Sequence, residues 1–201
     1  YKAGAAAVIA SDWAKAETSF AAVLVAEPNC GLALTNLGRS RVMLGKFAEA
    51  EASLKSAAAQ FADQFDPLLW LARAEIEGGK PDVAIVTARA AIALKPASVD
   101  AQRIVQRVLV AKKDTAGAHA SIVEARKVAN AAAWDCFDGI AYALEDEMGK
   151  AMSFASVCQG VPDTALYAEF TKALSDAVAR SEAAAPPPVE ETAAPELPAK
   201  K

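Results

Sequence analysis

The chain has 201 residues, a formal net charge of −4, 54% apolar residues (much of it alanine) and 6% aromatic residues. That length allows one long or two short domains, and the near absence of alternating β-branched and aromatic runs argues against strands and for an all-α fold built on alanine, the best helix former. No Lys/Arg-rich cluster offers the broad cationic face that nucleic acid requires, and no apolar run approaches the roughly 18–20 residues of a membrane span, since the stretch Phe20 to Ala26 stops at Glu27. No signal peptide is visible; the chain opens at Tyr1 rather than Met, so the expectation is an upstream segment cleaved or left out.

Taken in chain order, residues 1–30 carry Gly4, Trp13, Ala16, Phe20 and Pro28. Residues 45–57 read GKFAEAEASLKSA and residues 79–91 read GKPDVAIVTARAA, an offset of 34 residues. The same offset aligns Ala16, Ala50, Ala84 and Ala118, and likewise Phe20, Leu54, Ala88 and Ile122. A fixed period of this length decides the architecture, because each unit buries its apolar face against the next. Within units the apolar spacing is helical: Leu34, Leu37 and Leu44 precede Gly45, and Phe47, Ala50, Leu54 and Ala57 follow it. Gly45 suits the left-handed residue that ends a helix, and Pro81 suits the first turn of the next. Each unit is therefore helix, tight turn, helix. The alanine column marks the close crossing of the two helices, where a large side chain at Ala50 should cost roughly 1–3 kcal/mol.

The predicted units are 1–30, 31–64, 65–98 and 99–132, the last one weaker, with Val105, Leu109, Ala118, Ile122 and Ala125. After 132 the register slips, Gly149-Lys150 lying two residues late, and residues 133–160 read as a degenerate hairpin. Residues 161–184 read as a single capping helix with Leu166, Phe170, Leu174 and Val178 every four residues, as expected where the last unit has no neighbour. The tail 185–201, rich in Pro, Glu and Ala, lacks the apolar residues to build a core and reads as disordered.

The 34-residue unit resembles the tetratricopeptide repeat, on Leu34, Leu37, Gly38, Gly45, Phe47, Ala50, Leu54 and Ala57 in one unit and Leu68, Leu71, Ala72, Gly79, Ala84, Ala88, Ala91 and Pro96 in the next. The resemblance covers about two-thirds of the chain and implies an α-solenoid of about four to five hairpins. It also implies a concave groove lined by first helices, in which a protein or peptide partner binds. The inward positions would be Thr35, Leu69 and Arg103; Arg39, Arg73 and Arg107; and Val42, Ile76 and Val110. Leu32, Asp66 and Asp100 would occupy the remaining inward column. Asn36 sits at one place comparable to the carboxylate clamp of the chaperone-binding subgroup, but Thr35 stands where a clamp lysine is expected.

Two readings of the arginine row stay open. It is either a site for an acidic or carboxylate-bearing peptide, since arginine holds its charge and binds carboxylates bidentately, or a set of cations paired internally with Asp66, Asp100 or Glu77. Arg103 and Arg107, four residues apart, repel unless an anion lies between them.

Cys30, Cys136 and Cys158 lack zinc-site spacing, and His119 is the single histidine. Cys136 and Cys158 fall opposite one another if the last hairpin turns near Met148-Gly149, as a disulfide in an oxidising compartment or as two buried thiols. The acids Asp135, Asp138, Glu145, Asp146 and Glu147 read as a solvated face, His119 as an edge residue, and Trp70 as reaching the groove. No phosphate loop, serine elbow or dinucleotide motif occurs, so no cofactor and no enzymatic activity is expected. The function expected is a non-enzymatic interaction scaffold. The alternative is an assembly subunit of a bacterial envelope complex, using its outer face, cap helix or tail, with self-association. The composition reads as bacterial, with periplasm or envelope favoured over cytoplasm.

Overall fold

The computed structural model describes residues 1–128, 132–162 and 164–184; the tail 185–201 lies outside them. The chain forms α1 (Lys2–Ile9), α2 (Trp13–Ala26), α3 (Gly31–Met43), α4 (Phe47–Gln60), α5 (Phe65–Glu77), α6 (Pro81–Leu94), α7 (Val99–Ala111) and α8 (Thr115–Val128). There follow α9 (Ala132–Leu144), α10 (Met148–Ser153), α11 (Ala155–Gln159) and α12 (Thr164–Ala184). Each helix packs on its successor through α9, and from the second unit on each first helix also touches the first helix of the next unit, α3 on α5, α5 on α7 and α7 on α9. This is an all-α solenoid of helical hairpins, and among the described residues it contains no strand.

One turn device recurs five times. Ser11, Gly45, Gly79, Lys113 and Asp146 take positive φ of 55, 75, 77, 58 and 58°. The residue after each donates its N–H back across the helix end, Lys46 to the Arg41 carbonyl at 2.8 Å and Glu147 to that of Tyr142 at 3.0 Å, for example. These are the bonds of a Schellman cap, and they absorb carbonyls that the helix end would leave unpaired. Three of the five turns use a non-glycine residue, so Gly-Lys marks the turn in the sequence without being required for it. The last turn falls at Asp146, three residues ahead of Gly149. The slip expected from Gly149-Lys150 is therefore not where the chain turns, and α9 opens within one residue of its periodic place.

The close crossing of each hairpin is set by complementary volumes. Ala16, Ala50, Ala84 and Ala118 are all fully buried. On the facing helix, small residues stand opposite large ones. A Cβ on Gly4 would come within 2.9 Å of the Phe20 ring, and one on Gly38 within 2.3 Å of Leu54 Cγ. In the next unit both partners are alanines, Ala72 and Ala88. In the fourth, Gln106 occupies the small-residue place, and its amide donates to the Ala118 carbonyl at 3.2 Å and the Ser121 hydroxyl at 2.5 Å. Gln102 donates to the same hydroxyl at 2.7 Å, so this hairpin is joined by a buried polar wedge. That explains why its sequence matches the repeat less well.

Ion pairs bind consecutive units. Glu17 meets Lys46 at 2.8 Å, and one period on, Glu51 meets Lys80 at 2.7 Å. Both carboxyls are held below the ordinary carboxylate range, each chiefly by a lysine hydrogen bond, from Lys46 to Glu17 and from Lys55 to Glu51.

The second arm of the last hairpin is broken into α10 and α11 at Phe154. Ser153 donates its hydroxyl to the Lys150 carbonyl at 2.6 Å, a local bond that competes with helix continuation. Phe154 stacks parallel to Tyr142 at 6.1 Å. The closing helix α12 buries Leu166, Phe170 and Ala177, chiefly against α9. Val178, expected on this stripe, is exposed instead, because 100° per residue carries the stripe from Phe170 through Ala173 to Ala177. A side chain at Gly139 would place its Cβ 2.6 Å from the Phe170 ring, so that glycine makes room for the cap.

Candidate functional site

The first helices present one continuous face, and α12 folds back along its C-terminal part. Between them lies a half-open cavity of about 870 Å³. Leu69, Trp70 and Ile76 of α5, Ile104 and Val110 of α7, and Phe137, Ile140 and Leu144 of α9 supply its apolar wall. Arg73, Glu77, Asp100, Arg103 and Arg107 face Glu169, Lys172 and Asp176 of α12 around it. An apolar hollow with a few charged groups at its rim suits a partner that inserts an apolar side chain and fixes its register by ion pairs.

Of the residues expected to face inward, Leu69, Arg73, Ile76, Arg103, Arg107 and Val110 line this cavity. Val42 does not: it is 6% exposed and packs with Ala50, Leu54 and Leu71, covered by Trp70 of the next unit. Thr35 spends its hydroxyl on the Gly31 carbonyl at 2.8 Å. Asn36 donates to the Leu32 carbonyl at 2.8 Å and lies 3.3 Å from the Tyr1 hydroxyl. Neither has the free polar end of a carboxylate clamp.

The four arginines divide into two groups. Arg107 pairs with Glu77 at 2.6 Å. Glu169 of α12 lines the same cavity as Arg103 and Arg107, whose charges act to lower its pKa. Burial dominates that carboxyl all the same, and raises its pKa above the usual range. Arg39 and Arg73 stand on aromatic rings instead. The Arg39 guanidinium lies 5.6 Å from the centroid of Trp13 and 5.0 Å from that of Trp70, and Arg73 lies 5.4 Å from Trp70. Sequence reasoning named Trp13 and the capping helix but placed neither at the groove. The tryptophan is remote in the chain from Arg39, and no residue pattern says that the cap folds back onto the first-helix face rather than away from it.

The other singled-out residues lie elsewhere. His119 Nδ1 donates to the Asp138 carboxylate at 2.8 Å, and its ring lies against Tyr142, ring centroids 4.4 Å apart. Asp138 also meets Arg126 at 2.6 Å and is buried, so it belongs to an ionic lock between α8 and α9 rather than to a solvated face. Cys136 and Cys158 are buried free thiols within hydrogen-bonding reach of one another. Burial raises both thiol pKa values, which keeps them protonated and poor nucleophiles. Among the described residues no helix is long and apolar enough to cross a membrane.

The family model described as "Tetratricopeptide repeat" matches residues 1–67 and 35–99. Among solved structures, MamA superposes with a TM-score of 0.66 at 19% identity, over 92% of this chain and 93% of that one. TTC0263, a thermophilic TPR protein of Thermus thermophilus, superposes at 0.65 and 18% identity, over 85% and 95%. YrrB, described as a TPR protein with an unusual peptide-binding site, superposes at 0.62 and 16% identity, over 84% and 88%. No curated protein sequence matches the chain.

Proposed function

The chain belongs to the tetratricopeptide repeat family, and from that premise we propose that it is a non-enzymatic scaffold whose first-helix groove receives a polypeptide partner. The observation that carries this reading is the cavity between α5, α7, α9 and α12, about 870 Å³ with mainly apolar walls. It is large enough for several side chains, and burial of those side chains supplies the affinity. Arg39 and Arg73, which have no ion pair among the described residues, favour an acidic segment.

A second reading has its own support. On the second helix of the third unit, Val86 is 66% exposed, and Val83 and Leu94 are exposed beside it. An apolar outer strip of this kind suits an assembly role or self-association. A bacterial envelope setting remains part of that second reading.

Hydrogen exchange on the complex with a partner captured from the native cell separates the two. Groove recruitment is expected to protect α5 and α7, and Ile76→Glu to abolish capture. Protection restricted to α6 and the outer sides of α10 to α12, with Ile76→Glu still binding, would establish the assembly role instead.

A further inference from the structure

On the reading that the groove receives a polypeptide, we propose that Trp13, Arg39, Trp70 and Arg73 form its carboxylate-reading site, while Arg107 is taken up by Glu77. The four side chains make a ladder across α2, α3 and α5, ring and guanidinium alternating, with spacings of 5.6, 5.0 and 5.4 Å. A guanidinium laid on an indole uses its face for the ring and keeps its edge, where the N–H donors are, for a planar anion.

Three features of the ladder point to a ligand. Neither Arg39 nor Arg73 has an ion pair among the described residues, whereas Arg41, two residues along α3, has Glu17 at 3.2 Å and Arg107 has Glu77 at 2.6 Å. The Arg39 Nε is buried and has no hydrogen-bond partner, an arrangement that costs free energy until an acceptor arrives. Arg39 and Arg73 both lie against the Trp70 ring, 5.0 and 5.4 Å from its centroid, so one short stretch of surface presents two guanidinium edges. A carboxylate at each edge accepts a pair of charge-assisted hydrogen bonds, which an acidic segment with several carboxylates can supply. Trp70 and Arg73 also line the apolar cavity, so the same partner would place an apolar side chain there. The chemistry selects an acidic peptide with an apolar residue beside its carboxylate.

The probes are fluorescein-labelled EELEE peptides, one with a free and one with an amidated C terminus, and the neutral QQLQQ, read by anisotropy and by quenching of tryptophan emission. The wild type is expected to bind EELEE and not QQLQQ. Equal affinity of the two EELEE forms assigns the contact to side-chain carboxylates, and preference for the free form assigns it to the chain terminus. Arg39→Gln and Arg73→Gln should each weaken binding about tenfold or more, and Arg107→Gln less than about twofold. Arg39→Lys, which keeps the charge but not the planar fork, should recover little. Arg73 is exposed, so its variant keeps the test open if a change at Arg39 disturbs folding. If EELEE binds and is lost with Ile76→Glu but not with Arg39→Gln or Arg73→Gln, the ladder is not the site and the groove reading survives. Equal loss with Arg107→Gln, or no binding of EELEE to the wild type, overturns the ladder; the groove reading then rests on exchange protection by the captured partner.

Discussion

At the residue scale, the carboxyl of Glu75 shows how far burial outweighs sequence register. It occupies the repeat place held in the preceding unit by Arg41, yet it is 1% exposed. Burial raises its pKa, the Thr87 hydrogen bond and the charges of Lys55 and Lys80 oppose that, and Glu51 reinforces it. The sign of the consequence follows. Below about pH 4.5 the carboxyl is protonated in folded and unfolded chains alike, and nothing is lost. As pH rises, the unfolded chain releases the proton first, so stability falls until the folded carboxyl also ionises. Glu75→Gln should therefore match the wild type near pH 4 and exceed it by about 1 kcal/mol near pH 8. Urea midpoints across that range check this, and a constant gap at every pH would show that the charge is not the cause. Glu51, held by Lys80 and Lys55, has the opposite sign, adding stability above its range and losing it in acid.

At the scale of the element, the hairpin turn and the hairpin crossing differ in how openly the sequence declares them. The turn demands a left-handed residue and little else. A Cβ built on Gly79 meets nothing within 4 Å, so the strain of Gly79→Ala would lie in the backbone alone. That change should cost about 1 kcal/mol, and Lys113→Gly at the equivalent place should gain about 0.5–1 kcal/mol. Chemical denaturation of the two variants reads both signs; two changes of the same sign would contradict a shared turn geometry. The crossing, by contrast, is a matter of paired volumes. Gly38 beneath Leu54 was legible from the repeat, but the Gln106 and Ser121 wedge was not, because a polar residue at a packing place is recognisable only once its partner is known.

At the scale of the whole molecule, stacked units contact their neighbours alone, so damage stays local. Phe170 of α12 is buried against α9, and Phe170→Ala should remove about 3–5 kcal/mol. The expected outcome is faster hydrogen exchange confined to α9 through α12, with α3 to α6 unchanged. Uniform loss of protection would mean that the array unfolds as one cooperative body. The same substitution frees the C-terminal end of the groove, since α12 carries Glu169 toward Arg103 and Arg107.

The 34-residue hairpin, its all-helical character and the alanine crossings were legible in the residues alone, while the inward columns, of which Leu69, Arg73, Ile76 and Val110 line one cavity, were implied by the family resemblance. The hairpin and its crossings are properties of a period, and a period is written locally. The tertiary structure alone decided that Val42 is covered, that Arg39 lies between two indoles, that Asp138 is locked to His119 and Arg126, and that α12 closes one side of the groove. Each of these depends on a contact between residues far apart in the chain, and such contacts are fixed by packing and desolvation rather than by spacing.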